Sequence, residues 1–215
     1  MRTQTISIVC GGPDLWLPES LEGIIIGVDR GALALIQRKI QPHIAIGDFD
    51  SVSEDQRQLI KEKATTFIEL PAEKDMTDCE AAVEYAVSQG HKEIILYGVT
   101  GGRFDHQYAV IALMLKYVKK GIRITAKDAK NEFRILRPGA IRLKRGSKKY
   151  VSFFALEEKV EGLCLINAKY PLKDHVLYPD DTLCVSNEFA SLDEIDVSID
   201  VSITKGYLLI IQSSD

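Results

Sequence analysis

The chain has 215 residues, 46% of them hydrophobic and 27% charged, with a formal net charge of −4 at pH 7. Such a composition is that of a globular protein, and it excludes the basic footprint expected of a nucleic-acid binder. No apolar stretch approaches the ~20 residues that would span a bilayer.

The N-terminal segment MRTQTISIVCGG runs directly into a strand-like stretch, so no signal peptide is expected. Cys10, Cys79, Cys164 and Cys184 show no CxxC spacing, which argues against zinc or a disulfide framework. A cytoplasmic protein is the expectation.

Through the first ~125 residues, short apolar runs alternate with helical patterns. ISIVC (6–10) ends at Gly11-Gly12, GIIIGV (23–28) at Asp29, and IAI (44–46) at GDFDS. TTFIEL (65–70) ends at Pro71, and EIILYGV (93–99) at Thr100-Gly101-Gly102; RITA (123–126) is a weaker sixth strand. Helices are expected near 30–39, 53–63, 77–89 and 104–119. Apolar strands separated by helices predict a mostly parallel, Rossmann-like α/β sheet with helices on both faces. Ligands of such sheets bind beyond the carboxyl ends of the strands. Gly11-Gly12, Asp29-Arg30, Gly47–Ser51 and Thr100–His106 should therefore gather along one rim.

From about residue 130 the helical period disappears. YVSFFAL, TLCVSNEF, EIDVSIDVSI and YLLIIQ read as strands. Ile195, Val197, Ile199, Val201 and Ile203 alternate with polar residues, as on a half-buried antiparallel strand. A small all-β sandwich or barrel is expected, with the boundary inside KDAKNEFR (127–134): domains 1–128 and 129–215.

Three polar clusters bear on chemistry. In GDFDS, Asp48 and Asp50 point to the same side of an extended chain, roughly 7 Å apart at Cα. They repel unless a cation or donor-rich loop lies between them; an ordinary turn is the alternative. In EKDMTDCEAA, Thr77 and Glu80 match a capping box at a helix start. Capping accounts for Thr77, Asp78 and Glu80 but not for Asp75. Four aspartates at one rim call for divalent cations, and oxygen ligands without His or Cys favour Mg²⁺. The third cluster, YGVTGGRFDHQYAVIALML, is strand, glycine loop and a long helix expected to be deeply buried. Thr100, Gly101 and Gly102 let backbone N–H groups approach an anion, and Arg103 adds a fork suited to phosphate. Asp105 and His106 either cap this helix or contact nucleotide and metal. Acids for metal beside a glycine loop for phosphate are the parts of metal-assisted phosphoryl chemistry.

GVDRGA (27–32), GDFDS (47–51), KDMTD (74–78), GGRFDH (101–106), NAKYPL (167–172) and SNEF (186–189), in this order, resemble the thiamine pyrophosphokinase family. The resemblance covers nearly the whole chain. It implies an α/β N-terminal domain, a β-sandwich C-terminal domain that binds thiamine and dimerises, and a homodimer with active sites between subunits. It also implies Mg²⁺-dependent transfer of the terminal two phosphates of ATP to thiamine's hydroxyl, giving thiamine diphosphate and AMP.

Carried over by position, Asp48, Asp50, Asp75 and Asp78 match metal positions, and Asp48, Asp50 and Asp75 match catalytic ones. Asp29, Arg30, Thr100, Gly101, Gly102, Arg103, Asp105 and His106 match nucleotide-binding positions. Tyr170, Ser186 and Asn187 match the thiamine side. Asn167-Ala168 stands where the family often has glycine, and Tyr170 where animal members carry tryptophan. A metal-dependent phosphohydrolase would use the same acids with water as nucleophile. A non-catalytic nucleotide-binding module would not need four rim aspartates.

Overall fold

The computed structural model describes residues 5–191 and 197–215. Two compact units divide the chain, Met1–Ala129 and Lys130–Asp215. The first contains β1 (Ile6–Val9), β2 (Ile24–Val28), α1 (Arg30–Gln37), β3 (Ile44–Gly47), α2 (Glu54–Lys63), β4 (Thr66–Glu69), α3 (Asp78–Ser88), β5 (Glu93–Tyr97), α4 (Phe104–Val118) and β6 (Arg123–Lys127).

The six strands of this unit lie in the order β4-β3-β2-β1-β5-β6, and all pairs between them are parallel. The chain walks outward from β1 to β4 and then returns to lay β5 against the other side of β1. That reversal sets the loops following β1 and β5 side by side at a switch point, where a crevice opens at the strands' carboxyl ends. All four residues of β1 are buried, so the sheet is covered on both faces there. On one face Leu35 of α1 packs with Val9, Ile95 and Tyr97. Ala32, Ala45, Phe49 and Ile60 form a neighbouring cluster under α2.

Helix starts follow their sequences. Ser53 and Gln56 form a reciprocal capping box at α2, each side chain accepting from the other's backbone N–H. At α3 the Thr77 hydroxyl accepts from Glu80 N–H at 3.2 Å. The Glu80 carboxylate turns instead to Lys116 Nζ, at 2.6 Å, tying α3 to α4. The expectation that α4 is deeply buried is corrected: Phe104 is 77% exposed and Tyr108 64%. Only from Val110 onward does the helix turn core residues inward, among them Leu113, Met114 and Tyr117.

The second unit is all β among its described residues: β7 (Asn131–Leu136), β8 (Gly139–Lys144), β9 (Tyr150–Ile166), β10 (Leu172–Leu177), β11 (Asn187–Glu188), β12 (Ser198–Ile203) and β13 (Lys205–Ser213). Every pair is antiparallel. The 17-residue β9 changes partners along its length: its first half pairs with β13, its second with β10 and β12. Both halves supply one core, including Phe153, Leu163 and Leu165. β12 alternates as its pattern demands, with Ile199, Val201 and Ile203 buried; Ile195 falls outside the described residues. TLCVSNEF is corrected from strand to turn: residues 183–186 are turn, leaving only Asn187–Glu188 paired with β9.

Candidate active site

The loops after β1 and β5 lie against each other. Cys10 N–H donates to the Tyr97 carbonyl at 2.9 Å, and Gly12 N–H to the Gly98 carbonyl at 3.0 Å. A Cβ on Gly12 would stand 2.5 Å from that same Gly98 oxygen, so only glycine permits the approach. Between the loops opens a cavity of about 520 Å³, lined by Gly11, Gly12, Asp29, Thr100, Gly101, Gly102, Arg103 and His106. A second cavity of about 580 Å³ shares Gly11, Gly12, Arg30 and Ser51 with the first. The sequence-predicted nucleotide residues Asp29, Arg30, Thr100, Gly101, Gly102, Arg103 and His106 thus surround one crevice.

Phe49 explains the GDFDS spacing. Its ring is 2% exposed and stacks on Phe67 with centroids 4.6 Å apart. Its backbone adopts φ 56°, an uncommon conformation for a bulky residue. Burial of the ring and a 3.1 Å hydrogen bond from Phe49 N–H to Asp29 Oδ1 hold it there. The buried phenylalanine anchors the loop, leaving the flanking aspartates at the rim.

Asp29, Asp48 and Asp78 converge, with one carboxylate oxygen from each lying within 4.8 Å of the others. Asp29 ends the run after β2, Asp48 follows β3, and Asp78 opens α3. Asp50 and Asp75 are exposed and stand outside this group; Asp50 N–H donates to Asp48 Oδ1 at 3.2 Å. Asp29, read from the sequence as a nucleotide residue, is the third member.

Lys74, which the sequence reading left unassigned, sits among these acids. Its Nζ is 2.7 Å from Asp48 Oδ2 and 3.0 Å from Asp78 Oδ1. The hydrogen bond from Lys74 holds the Asp48 carboxyl below its ordinary range, against the opposing effect of burial. Burial alone would lower the Lys74 ammonium, but its two carboxylate partners raise it above its usual value. Asp29 behaves oppositely. Burial pushes it up to about 7, the Phe49 N–H pulls back, and the charges of Asp78, Asp48 and Asp50 add to the rise. Asp78 Oδ1 is buried and makes no hydrogen bond, only the ion pair with Lys74.

At the start of α4, Arg103 is engaged by Asp105: Nε to Oδ1 at 3.1 Å and NH2 to Oδ2 at 2.5 Å. That carboxylate raises the guanidinium pKa further. Both side chains are exposed, so the fork can exchange Asp105 for another anion.

In the second unit Asn187 is buried and clamps a loop. Its Oδ1 accepts from Tyr170 N–H at 3.1 Å and from Glu188 N–H at 2.8 Å, while Nδ2 donates to the Tyr170 carbonyl at 2.8 Å. Tyr170 itself is 61% exposed, with Lys169 Nζ 5.7 Å from its ring centroid. Ser186 is exposed at φ 56°, its N–H bound to Ser152 Oγ at 3.0 Å. Asn167 has φ 64°, a conformation that asparagine tolerates better than most residues, so it can stand where glycine is common.

Two family models match the chain: the thiamin pyrophosphokinase catalytic domain over residues 19–126 and the thiamin pyrophosphokinase vitamin B1 binding domain over residues 140–206. The chain belongs to the thiamine pyrophosphokinase family. It is 36% identical to the thiamine pyrophosphokinase of Bacillus subtilis, over 99% of this chain and 100% of that one. The crystal structure of that species' thiamine pyrophosphokinase superposes with a TM-score of 0.88 at 35% identity, covering 99% of this chain and 100% of the other. A thiamin pyrophosphokinase family protein from Enterococcus faecalis gives 0.87 at 30% identity, covering 99% of both chains. Within the family's catalytic segment fall Asp29, Asp48, Lys74 and Asp78; within its B1-binding segment fall Tyr170, Ser186 and Asn187.

Proposed function

We propose that this chain is an ATP:thiamine diphosphotransferase, moving the β,γ-diphosphate of ATP to thiamine's hydroxyl and releasing AMP. The observation that carries the reading is the convergence of Asp29, Asp48 and Asp78 beside a glycine-lined cavity at the sheet's switch point. Residues 1–128 form the nucleotide- and metal-binding domain, a Rossmann-like sheet with helices on both faces. Residues 129–215 form a β-sandwich that binds thiamine and dimerises, with active sites between the subunits of a homodimer.

The donor set fits Mg²⁺. It consists of hard carboxylate oxygens, and one of them, Asp78 Oδ1, is buried with the Lys74 ammonium as its partner. Asp29, Asp48 and Asp78 would hold the ion, with Asp50 and Asp75 at its exposed margin. Bound there, Mg²⁺ would supply positive charge to offset that of the phosphate oxygens.

The chain's own groups do the rest. Backbone N–H groups of Thr100–Gly102 and the N-terminus of α4 receive phosphate oxygens. Arg103 leaves Asp105 to grip the same anion, while His106 and Arg30 bound the nucleotide crevice. The thiamine hydroxyl oxygen forms its bond to the β-phosphorus as the bond to the AMP oxygen breaks. Asp50 or Asp48 orients that hydroxyl and takes its proton. An alcohol is a weak acid, so correct placement contributes more than base strength. Tyr170 offers its ring to the cationic thiamine, with Ser186 and Asn187 shaping the same pocket. Free thiols at Cys10, Cys79, Cys164 and Cys184 suit a cytoplasmic setting.

The test is one assay. Purified protein with ATP and Mg²⁺ should release AMP only when thiamine is added, in equal amounts with thiamine diphosphate. Phosphate released without thiamine would identify a hydrolase instead.

A further inference from the structure

Lys74 bridges two of the three acids that would hold a divalent ion. Its Nζ meets Asp48 Oδ2 at 2.7 Å and Asp78 Oδ1 at 3.0 Å, and it donates to the Pro71 carbonyl at 3.2 Å. The side chain is only 12% exposed. Two of the three converging carboxylates therefore already share one positive charge supplied by the chain itself.

Without that ammonium the site would hold three acids within 4.8 Å of one another and no cation. Like charges so close repel strongly in a partly buried setting. An ammonium and a metal ion compete for the same two carboxylates, Asp48 and Asp78. We propose that Lys74 is a built-in counter-ion of the metal site, holding Asp48 and Asp78 until a divalent ion displaces it. The proposal rests on the metal reading above and adds a residue that tunes it.

The chemistry of lysine suits the task. Its ammonium is a point charge on a flexible four-carbon stem, able to move away without dragging the backbone. An arginine fork would hold a carboxylate in two places and release it less readily. The cost of displacement weakens capture of a free ion, because the apparent affinity falls by the fraction of time the carboxylates are free. A bound triphosphate supplies the displaced ammonium with a new anionic partner, which favours entry of metal together with nucleotide.

Mn²⁺ titration of the nucleotide-free protein, followed by electron paramagnetic resonance, tests this. Lys74→Met should bind Mn²⁺ about tenfold more tightly than the unmodified chain, as expected if the ammonium holds the acids about 90% of the time. Lys74→Gln, which keeps a donor for the Pro71 carbonyl but loses the charge, should behave like Lys74→Met. Lys74→Arg should bind no more tightly than the unmodified protein. Melting curves with and without Mn²⁺ give a second readout, and both neutral variants should gain more from the ion. Neutral variants that bind Mn²⁺ with unmodified affinity, or more weakly, overturn the role of Lys74 while leaving the metal site standing. Absence of Mn²⁺ binding in every form, with Asp29→Asn fully active, overturns both.

Discussion

A methyl group at position 47 would lie 1.8 Å from Asp29 Oδ1, so Gly47 exists as a vacant seat for the Asp29 carboxylate. The carboxylate in the way holds the Phe49 N–H, and Gly47 itself has φ 153°, a conformation that residues with a side chain rarely adopt. Gly47→Ala should therefore expel the carboxylate from the cluster and also strain the backbone, at a cost of about 1–3 kcal/mol. Turnover is expected to fall about 100-fold, the scale of losing one electrostatic contact at a reacting centre. The melting temperature should fall as well. Unimpaired turnover in this variant would show that the Asp29 position is immaterial to the reaction.

Asp29 also sets a pH dependence in protein stripped of metal. Burial raises its folded pKa to about 7, above the ordinary unfolded carboxylate value of about 3.9. The folded state then holds more protons than the unfolded state between those two values, so stability declines as pH rises through them. The slope approaches at most about 1.4 kcal/mol per pH unit, reduced by the solvent that reaches this half-buried group. Asp48 has the opposite sign: Lys74 depresses its pKa, and its contribution is lost only as pH falls below the usual carboxylate range. Denaturant melts in chelator should show Asp29→Asn flattening the decline between about pH 5 and pH 7. The same decline in the variant would mean that another group drives it.

Asp50 and Asp75 are exposed, and their roles separate cleanly from stability. Asp50→Asn and Asp75→Asn should each change unfolding free energy by no more than about 0.5 kcal/mol, as for ordinary surface sites. At saturating Mg²⁺ and ATP each should nevertheless lose roughly 100-fold in turnover. Normal rates in both would leave the chemistry to the buried trio alone.

The strands of the first unit were readable because they are short, largely apolar runs closed by glycine, aspartate or, after β4, Pro71, and parallel sheets need nothing subtler. The rim followed from the same punctuation. Which acids actually meet was not readable. Asp29 and Asp48 come together because β2 and β3 are neighbours in register, Val28 opposite Ile46, a fact of strand order rather than of local pattern. Asp75 and Asp78 are three residues apart, but only Asp78 lies on the helix that packs toward the sheet. Lys74 was hidden for the reverse reason: in EKDMTD it reads as an ordinary surface charge until its partners from β3 are in place. TLCVSNEF misled because its apolar residues serve different ends, Cys184 buried in the core and Leu183 and Val185 outside it. Alternation by itself does not distinguish a strand from a turn with one anchored side chain.

Tyr170 and Asn187 divide one task between them. Asn187 fixes the backbone at position 170 with two hydrogen bonds, at 3.1 and 2.8 Å, from a buried site. Tyr170 keeps its ring exposed, and so has little to lose in stability when removed. Tyr170→Ala should raise the thiamine KM well beyond the ATP KM and leave the melting temperature nearly unchanged. Asn187→Leu strands the Tyr170 N–H and carbonyl, so it should cost about 1–3 kcal/mol of stability and raise the thiamine KM as well. Tyr170→Trp, which keeps a flat ring for stacking on a cation, should preserve or tighten thiamine binding. Equal changes in both KM values for Tyr170→Ala would assign the ring to packing between subunits instead, and the melting curves of the three variants would then track protein concentration.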